Sequence, residues 1–197
     1  MSGSPDLTNL GVKLGVSLQI NLKIMNELEL IISLFPIVFM LHEFEEIIGF
    51  KPWVTKNGLW IEKKYPGMSK QITLLKQLSV PAFALAVLEE FILVSITTVL
   101  ALTFQWYSVW IAMFTAFAFH ILFHIVQWMV VRKYIPVVIT SLLSLPYIIW
   151  GGYKIFSEFS VSMVIICFVI GIMVIILNLR FVHRLALRYD KAMKIIQ

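Results

Sequence analysis

Between residues 37 and 50 the sequence reads IVFMLHEFEEIIGF, an apolar run that holds one histidine and three glutamates within five positions. Successive residues of an α-helix turn by about 100°, so His42, Glu45 and Glu46 share one face of a helix. Glu43 lies at the edge of that face. An imidazole with a carboxylate three or four residues away is a spacing that holds a metal ion on a helix. This segment is therefore the first candidate for chemistry.

Three further apolar segments carry polar residues. The segment LAVLEEFILVS contains Glu89 and Glu90, and because adjacent residues point in different directions, only one of them is expected to reach a shared interior. The segment FAFHILFHIVQW contains His120 and His124, whose i, i+4 spacing is common among bidentate metal ligands. Asn178 lies near the end of the last apolar run.

Counted along their helices, these residues fall within about three helical turns of one another in depth. We therefore predict a site for a divalent metal, either iron, manganese or zinc, as one or two ions. The predicted ligands are His42, Glu45, Glu46, Glu90, His120 and His124. Catalytic roles are predicted for Glu45, Glu89, Glu90 and Asn178, and contact with a substrate head group for Arg180. No organic cofactor is predicted.

Each feature also has a structural interpretation that needs no ligand. His42, Glu45 and Glu46 are also compatible with a helix end whose polar side chains reach the membrane surface. Glu89 and Glu90 are compatible with a mutually satisfied polar pair bonded to Ser or Thr. His120 with His124 is compatible with hydrogen bonds between helices. These alternatives stay open at the level of sequence.

Composition sets the class of protein. The chain has 197 residues, of which 60% are hydrophobic and 14% charged, and its mean hydropathy is +0.91. Soluble domains are about 25% charged, so we predict an all-α integral membrane bundle. Its predicted helices span 28–50, 78–104, 107–131, 135–153 and 160–182. The single cysteine, Cys167, excludes an intramolecular disulfide.

The basic residues predict an orientation. Thirteen of the sixteen Lys and Arg residues fall on one side of a five-helix bundle, in the loops after helices one and three and at the C-terminal end. Because cytoplasmic loops are enriched in Lys and Arg, the N-terminus is predicted outside and the C-terminus inside. A bacterial cytoplasmic membrane is the expected location. The net charge of +5 thus reflects topology, and no nucleic-acid partner is predicted.

Three regions are expected along the chain. Residues 1–27 form an N-terminal tail whose polar and apolar residues alternate between 12 and 24, a strand pattern without a partner strand. The tail is expected to be disordered, interfacial or paired in a homo-oligomer, or to lie upstream of a true start at Met25. Residues 28–183 form the transmembrane domain, and residues 184–197 a basic cytosolic tail.

The segment LHEFEEIIGF resembles the small membrane-protein family named for its HxxEE motif, here His42, Glu45 and Glu46. The likeness continues through FHIVQWMVVRKYIP into the fourth helix. It implies that the motif residues are the centre of the site and that His124 is a companion. The family is described as of unknown function, so the resemblance implies no reaction.

Three functions fit these residues. The leading hypothesis is a membrane-embedded, metal-dependent hydrolase or oxidoreductase that acts on a lipid or another hydrophobic substrate. The first alternative is a metal-free acid–base isomerase or cyclase of a sterol- or terpene-like lipid. The second alternative is a transporter of protons or divalent metal, because buried Glu and His chains also mark such pathways.

Overall fold

The computed structural model describes residues 26–196, which form six α-helices and one short 3-10 turn and contain no strand. The all-α prediction is confirmed within these residues. The period-two pattern at 12–24 lies outside them. The helices are α1 (Glu27–Lys64), α2 (Ser69–Gln77), α3 (Val80–Phe104), α4 (Tyr107–Val131), α5 (Val138–Glu158) and α6 (Val161–Ile196), with the turn at Pro66–Met68 between α1 and α2.

Local sequence accounts for several helix ends. The side chain of Asn26 accepts a hydrogen bond from the N–H of Glu29, whose carboxylate accepts one from the N–H of Asn26, a capping box that starts α1. The Ser79 hydroxyl accepts a hydrogen bond from the N–H of Ala82 and caps α3, with Pro81 in its first turn. Gln105 takes a left-handed conformation with φ of 58° and ends α3. Only Gln105 and Trp106 lie between α3 and α4, so a tight turn connects the two helices.

Two helices are longer than the sequence predicted. The predicted first helix ends at residue 50, before Pro52, but α1 continues to Lys64 because Val54 and Ile61 pack against Ile72 of α2. That packing offsets the one backbone hydrogen bond that Pro52 removes. The predicted last helix ends at residue 182, yet α6 continues to Ile196, since no proline or glycine interrupts it after Gly171. The predicted basic tail is therefore largely helical.

Three helices of residues 26–196, namely α3, α4 and α6, are long and apolar enough to cross a membrane. The sequence predicted five such helices. The helix α1 does not meet this measure because it carries the acids of the HEFEE segment in its middle, and α5 is diluted by Ser, Gly, Pro and Lys. The orientation of the bundle in a membrane stays a prediction.

Packing of α1 positions the candidate site. The helix α1 contacts α3 on one side and α5 on the other, and α4 contacts α3, α5 and α6. At one end of the bundle, Phe35 of α1 packs against Trp110, Phe114 and Phe117 of α4, with ring centroids 5.6–6.2 Å apart. This aromatic layer fixes the rotation of α1 against α4. It lies one to three helical turns from the predicted ligands on these two helices.

The opposite end of the bundle carries most of the lysines and arginines and is called the basic end below. Here the ammonium group of Lys51 donates hydrogen bonds to the carbonyls of Leu75, Lys76 and Leu78, with the Leu78 oxygen 2.6 Å away. Lys76 pairs with Glu62 at 2.9 Å. A cation at the C-terminal carbonyls of a helix is favourable, so Lys51 fastens α2 to α1.

Candidate metal centre

Four residues from α1 and α4 bring potential ligand atoms together: His42, Glu46, His120 and His124. Each offers one nitrogen or carboxylate oxygen, and these four atoms lie within 4.8 Å of one another. His42 is fully buried and His124 is 7% exposed. One ion could therefore contact all four side chains. The predicted convergence of the HEFEE segment with the paired histidines is present in the structure.

One of the two shortest distances links α4 to α1, and the other lies within α4. The Nε2 atom of His124 lies 3.0 Å from Glu46 Oε1 and 3.0 Å from the Nε2 atom of His120. His120 Nε2 lies 3.9 Å from Glu46 Oε1. The ring of His42 has its centroid 5.3 Å from each of the other two imidazoles. The three rings thus surround the Glu46 carboxylate.

Hydrogen bonding on the far side of the His42 and His124 rings can leave their Nε2 lone pairs directed inward. The Nδ1 atom of His124 lies 3.0 Å from the side-chain oxygen of Gln127, to which it can donate. An imidazole protonated at Nδ1 presents an unprotonated Nε2, here toward Glu46. His42 Nε2 is buried and has no hydrogen-bond partner among the described residues. Inward lone pairs beside a carboxylate form a site that a cation or a proton stabilises.

Glu45 does not join the group, which corrects the predicted ligand set. Its carboxylate accepts hydrogen bonds from the hydroxyl of Thr140 at 2.6 Å and from the N–H of Thr140 at 2.8 Å. The Thr140 oxygen in turn lies 3.0 Å from Nδ1 of His42. Because the Thr140 hydroxyl donates to Glu45, it accepts from His42. These hydrogen bonds hold His42 in the Nδ1–H tautomer, so Glu45 orients His42 and lies outside the four-residue group.

The same carboxylate stabilises the start of α5. Thr140 lies in the first turn of that helix, where N–H groups lack partners within the helix and an anion is favoured. Gly49, one turn after Glu45, permits the close approach, since a Cβ there would lie 2.5 Å from Cβ of Pro136. Tyr134 also donates to Glu45 at 3.0 Å. Partial burial and this hydrogen bond raise the pKa of the Tyr134 phenol, which therefore stays protonated.

The angles along α1 explain why adjacent glutamates differ. Glu45 and Glu46 lie on opposite sides of His42, about 100° apart around the helix axis. One nitrogen of the His42 ring therefore faces Thr140 and Glu45, and the other faces the side of Glu46. Glu43 is displaced toward the Glu46 side, where its carboxylate lies 3.9 Å from His120 Nε2. Glu43 is only 3% exposed.

The four-residue group borders a cavity of about 280 Å³ that lies among α1, α3, α4 and α6. Glu43, Glu46 and Glu90 all line it, as do His120 and His124. Most of the remaining lining is apolar. Three carboxylates in such surroundings repel one another unless protons or a cation neutralise them. The predicted ligand Glu90 thus reaches the same cavity, although it lies outside the four-residue group.

The other predicted residues lie elsewhere. Glu89 accepts a hydrogen bond from the amide of Asn178 at 2.9 Å, which links α3 to α6. Asn178 lines the cavity, but Glu89 does not. Arg180 is exposed and does not line the cavity. The structure therefore does not bring Glu89 or Arg180 to the ligand group.

Sequence reasoning missed Glu43 and Thr140. Glu43 lies at the edge of the predicted face, at the same depth as His42 and Glu45. That depth could have identified it as a candidate site residue. Thr140 is separated from Glu45 by 95 residues, and nothing in its local sequence marks it. Only the packing of α5 on α1 brings it to His42.

Comparison with known proteins identifies the family. The family model described as "Protein of unknown function with HXXEE motif" matches residues 33–151, more than half of the chain. The chain therefore belongs to this family, and the resemblance inferred from the motif is confirmed. The matched range contains all four converging residues and Thr140, but not Asn178 or Arg180. No curated protein and no solved structure matches the chain.

Proposed function

We propose that this HXXEE-family protein is a metal-dependent membrane enzyme that acts on a lipid or another hydrophobic substrate. The observation that carries the proposal is the convergence of His42, Glu46, His120 and His124 at the wall of an apolar cavity. A ligand group beside an apolar cavity can place a metal against a substrate that is itself apolar. A purely structural ion would not need such a cavity.

Three imidazoles and one carboxylate suit zinc, iron or manganese. Such an ion would supply either a polarised water for hydrolysis or a redox centre for oxidation. The chain's own contribution is positional. Glu45 and Thr140 hold the His42 ring, and Gln127 holds the His124 ring. The carboxyl groups of Glu43 and Glu90 remain available beside the cavity to bind or move a proton.

We further propose that five helices cross the membrane, namely α1, α3, α4, α5 and α6. The basic end would lie on the cytosolic side. Two observations support it. The bundle exposes large apolar side chains on several helices, among them Leu143 at 72% and Leu177 at 63%, which a lipid environment would cover. Thirteen of sixteen basic residues lie on one side of such a five-helix arrangement. In this orientation the ligand group lies in the cytosolic half.

Elemental analysis of the detergent-purified protein tests the proposal. We expect close to one equivalent of zinc, iron or manganese in the wild type, and its loss in His42→Ala and Glu46→Gln. Glu62→Gln is the matched control, because Glu62 lies on the same helix and pairs with Lys76 outside the site. Absence of metal from protein never exposed to a chelator, or retention in both site variants, would contradict the proposal.

A metal-free isomerase is the second candidate, and the position of Glu43 and Glu90 beside the cavity favours it. In that case burial would keep a carboxyl protonated, so that it could exchange a proton with an alkene. It predicts no metal, and Glu90→Gln as damaging to activity as Glu90→Ala. A transporter predicts instead ion flux in liposomes, with sensitivity to variants at both ends of the bundle.

A further inference from the structure

We infer that the cavity binds a single unbranched hydrocarbon chain whose oxygenated end, an alcohol, aldehyde or carboxylate, lies at the four-residue group. This inference rests on the proposed function and narrows its substrate from hydrophobic molecules in general to single-chain lipids. Three properties of the cavity carry it: its length, its volume and the distribution of polar groups along it.

The length matches one lipid tail. The lining residues run from Phe35 to Glu46 on α1 and from Met113 to His124 on α4. Eleven steps along a helix at about 1.5 Å each span roughly 16 Å. The hydrocarbon layer of a bilayer is about 30 Å thick, so one leaflet contributes roughly 15 Å. Along α1 and α4 the cavity therefore has the extent of one extended acyl chain.

The volume is small for that length. A cavity of about 280 Å³ lies at the lower limit of ligand pockets, which run from about 300 to 1,000 Å³. A cavity that is long but of low volume is narrow. It accommodates one chain, whereas the two tails of a diacyl lipid or the fused rings of a sterol require greater width.

On α1 and α4 the polar groups lie toward the basic end of the lining, whereas on α3 and α6 the lining continues past them through Phe83, Ala86, Val182 and Ala186. Glu43 and Glu46 follow Phe35 and Phe39 along α1. His120 and His124 likewise follow Met113 and Phe117 along α4. Beyond them, away from the basic end, the lining is apolar and consists of Phe35, Phe39, Leu93, Val94, Met113 and Phe117. A chain that fills this deep part and extends no further places its polar end against the ligand atoms.

Competition binding tests the inference. Unbranched fatty alcohols of graded length compete against a fluorescent single-chain alcohol on the purified wild-type protein. Each methylene that enters the cavity is expected to strengthen binding about fourfold, until the chain fills the deep part and the gain stops. A sterol and a diacylglycerol are expected to compete at least tenfold more weakly than the best alcohol.

The stopping length is the alcohol chain length beyond which an added methylene no longer strengthens binding. Two variants should change this length in opposite directions. Leu93→Trp fills the deep part and is expected to shorten it, whereas Met113→Ala enlarges the deep part and is expected to lengthen it. Ile92→Trp is the matched control, because Ile92 is next to Leu93 in the sequence but is 48% exposed and does not line the cavity. Size-exclusion profiles identify any variant that fails to fold, and the other variant then decides.

The outcomes separate this inference from the proposed function. A continuous gain with length, an identical stopping length in all variants, or equal competition by a sterol overturns the single-chain inference, whatever the metal content. A stopping length that moves as expected, in protein that contains no metal, supports the single-chain site and overturns the metal-dependent function. His42→Ala should lose metal and keep the stopping length.

Discussion

Two polar groups link the helices of this bundle. They differ in whether each hydrogen-bond donor and acceptor has a partner within its group. Glu89 of α3 and Asn178 of α6 form one hydrogen bond of 2.9 Å, an ordinary donor with an ordinary acceptor. The group on α1 and α4 instead directs three imidazoles and a carboxylate at a common point. One of its buried nitrogens, His42 Nε2, has no partner among the described residues.

The contrast shows which feature of a polar cluster indicates a ligand. Both groups consist of residue types that are rare inside apolar helices, so residue type and depth do not distinguish them. A paired donor and acceptor stabilise the packing of two helices and need nothing further. Several acceptors that face one another are unfavourable until a cation or protons join them. The α1–α4 group is therefore the candidate metal centre.

The largest expected effect comes from removing a ligand. His124→Ala should weaken metal binding more than about a hundredfold, beyond the 10–100-fold range of residues that only orient ligands. The matched control is His183→Ala, because His183 is the remaining histidine and its Nδ1 atom lies 2.6 Å from the Leu179 carbonyl. Metal content measured by mass spectrometry decides, and equal losses in both variants would contradict the assignment.

A smaller effect on metal binding is expected from substituting Thr140, whose hydroxyl contacts Nδ1 of His42. Thr140→Val keeps the side-chain shape and the N–H that binds Glu45, but it removes the hydroxyl between Glu45 and His42. We expect metal affinity to fall 10–100-fold, measured by chelator competition, while the melting temperature changes little. Thr140→Ser should restore the affinity. If Thr140→Val and Thr140→Ser behave alike, the hydroxyl does not orient His42.

Tyr134→Phe should weaken metal binding less, because Tyr134 reaches His42 only through Glu45 and Thr140. The Tyr134 ring is about half exposed. Its hydroxyl donates one hydrogen bond to Glu45, and the N–H and hydroxyl of Thr140 donate two more. A single hydrogen bond contributes about 0.5–1.5 kcal/mol, and less where water competes, so the expected loss of metal affinity is about two- to threefold. The raised pKa of the phenol keeps it a donor, so this contribution should be constant from pH 6 to 9. A loss as large as that of Thr140→Val would indicate that Tyr134, and not Thr140, controls Glu45.

The smallest effect on metal is expected at the second polar group. Glu89→Leu removes its hydrogen bond to Asn178 and should lower stability by about 0.6 kcal/mol, the average for such bonds between membrane helices. Metal content should not change. Glu89→Gln retains an acceptor for Asn178 and serves as the comparison in thermal unfolding. Loss of metal in Glu89→Leu with an unchanged melting temperature would reverse the distinction between the two groups.

Much of the site follows from local sequence. The spacing of His42 and Glu46, and that of His120 and His124, fixes each pair on one face of its helix whatever the surroundings. Similar depth then made their meeting predictable. The prediction that Glu89 belongs to the site was not supported, because depth alone does not state which way a residue faces, and Asn178 was close enough to bind it.

The sequence by itself determined that the chain is helical, that several of its helices suit a membrane, and which residues could be ligands. All of these depend on composition and on the fixed period of the helix. Only the tertiary structure decided which ligands meet. The rotation of α1 against its neighbours is set by packing of Phe35, Gly49 and other contacts many residues apart in sequence. That rotation turns Glu46 toward the histidines and Glu45 toward Thr140, a choice that no local period encodes.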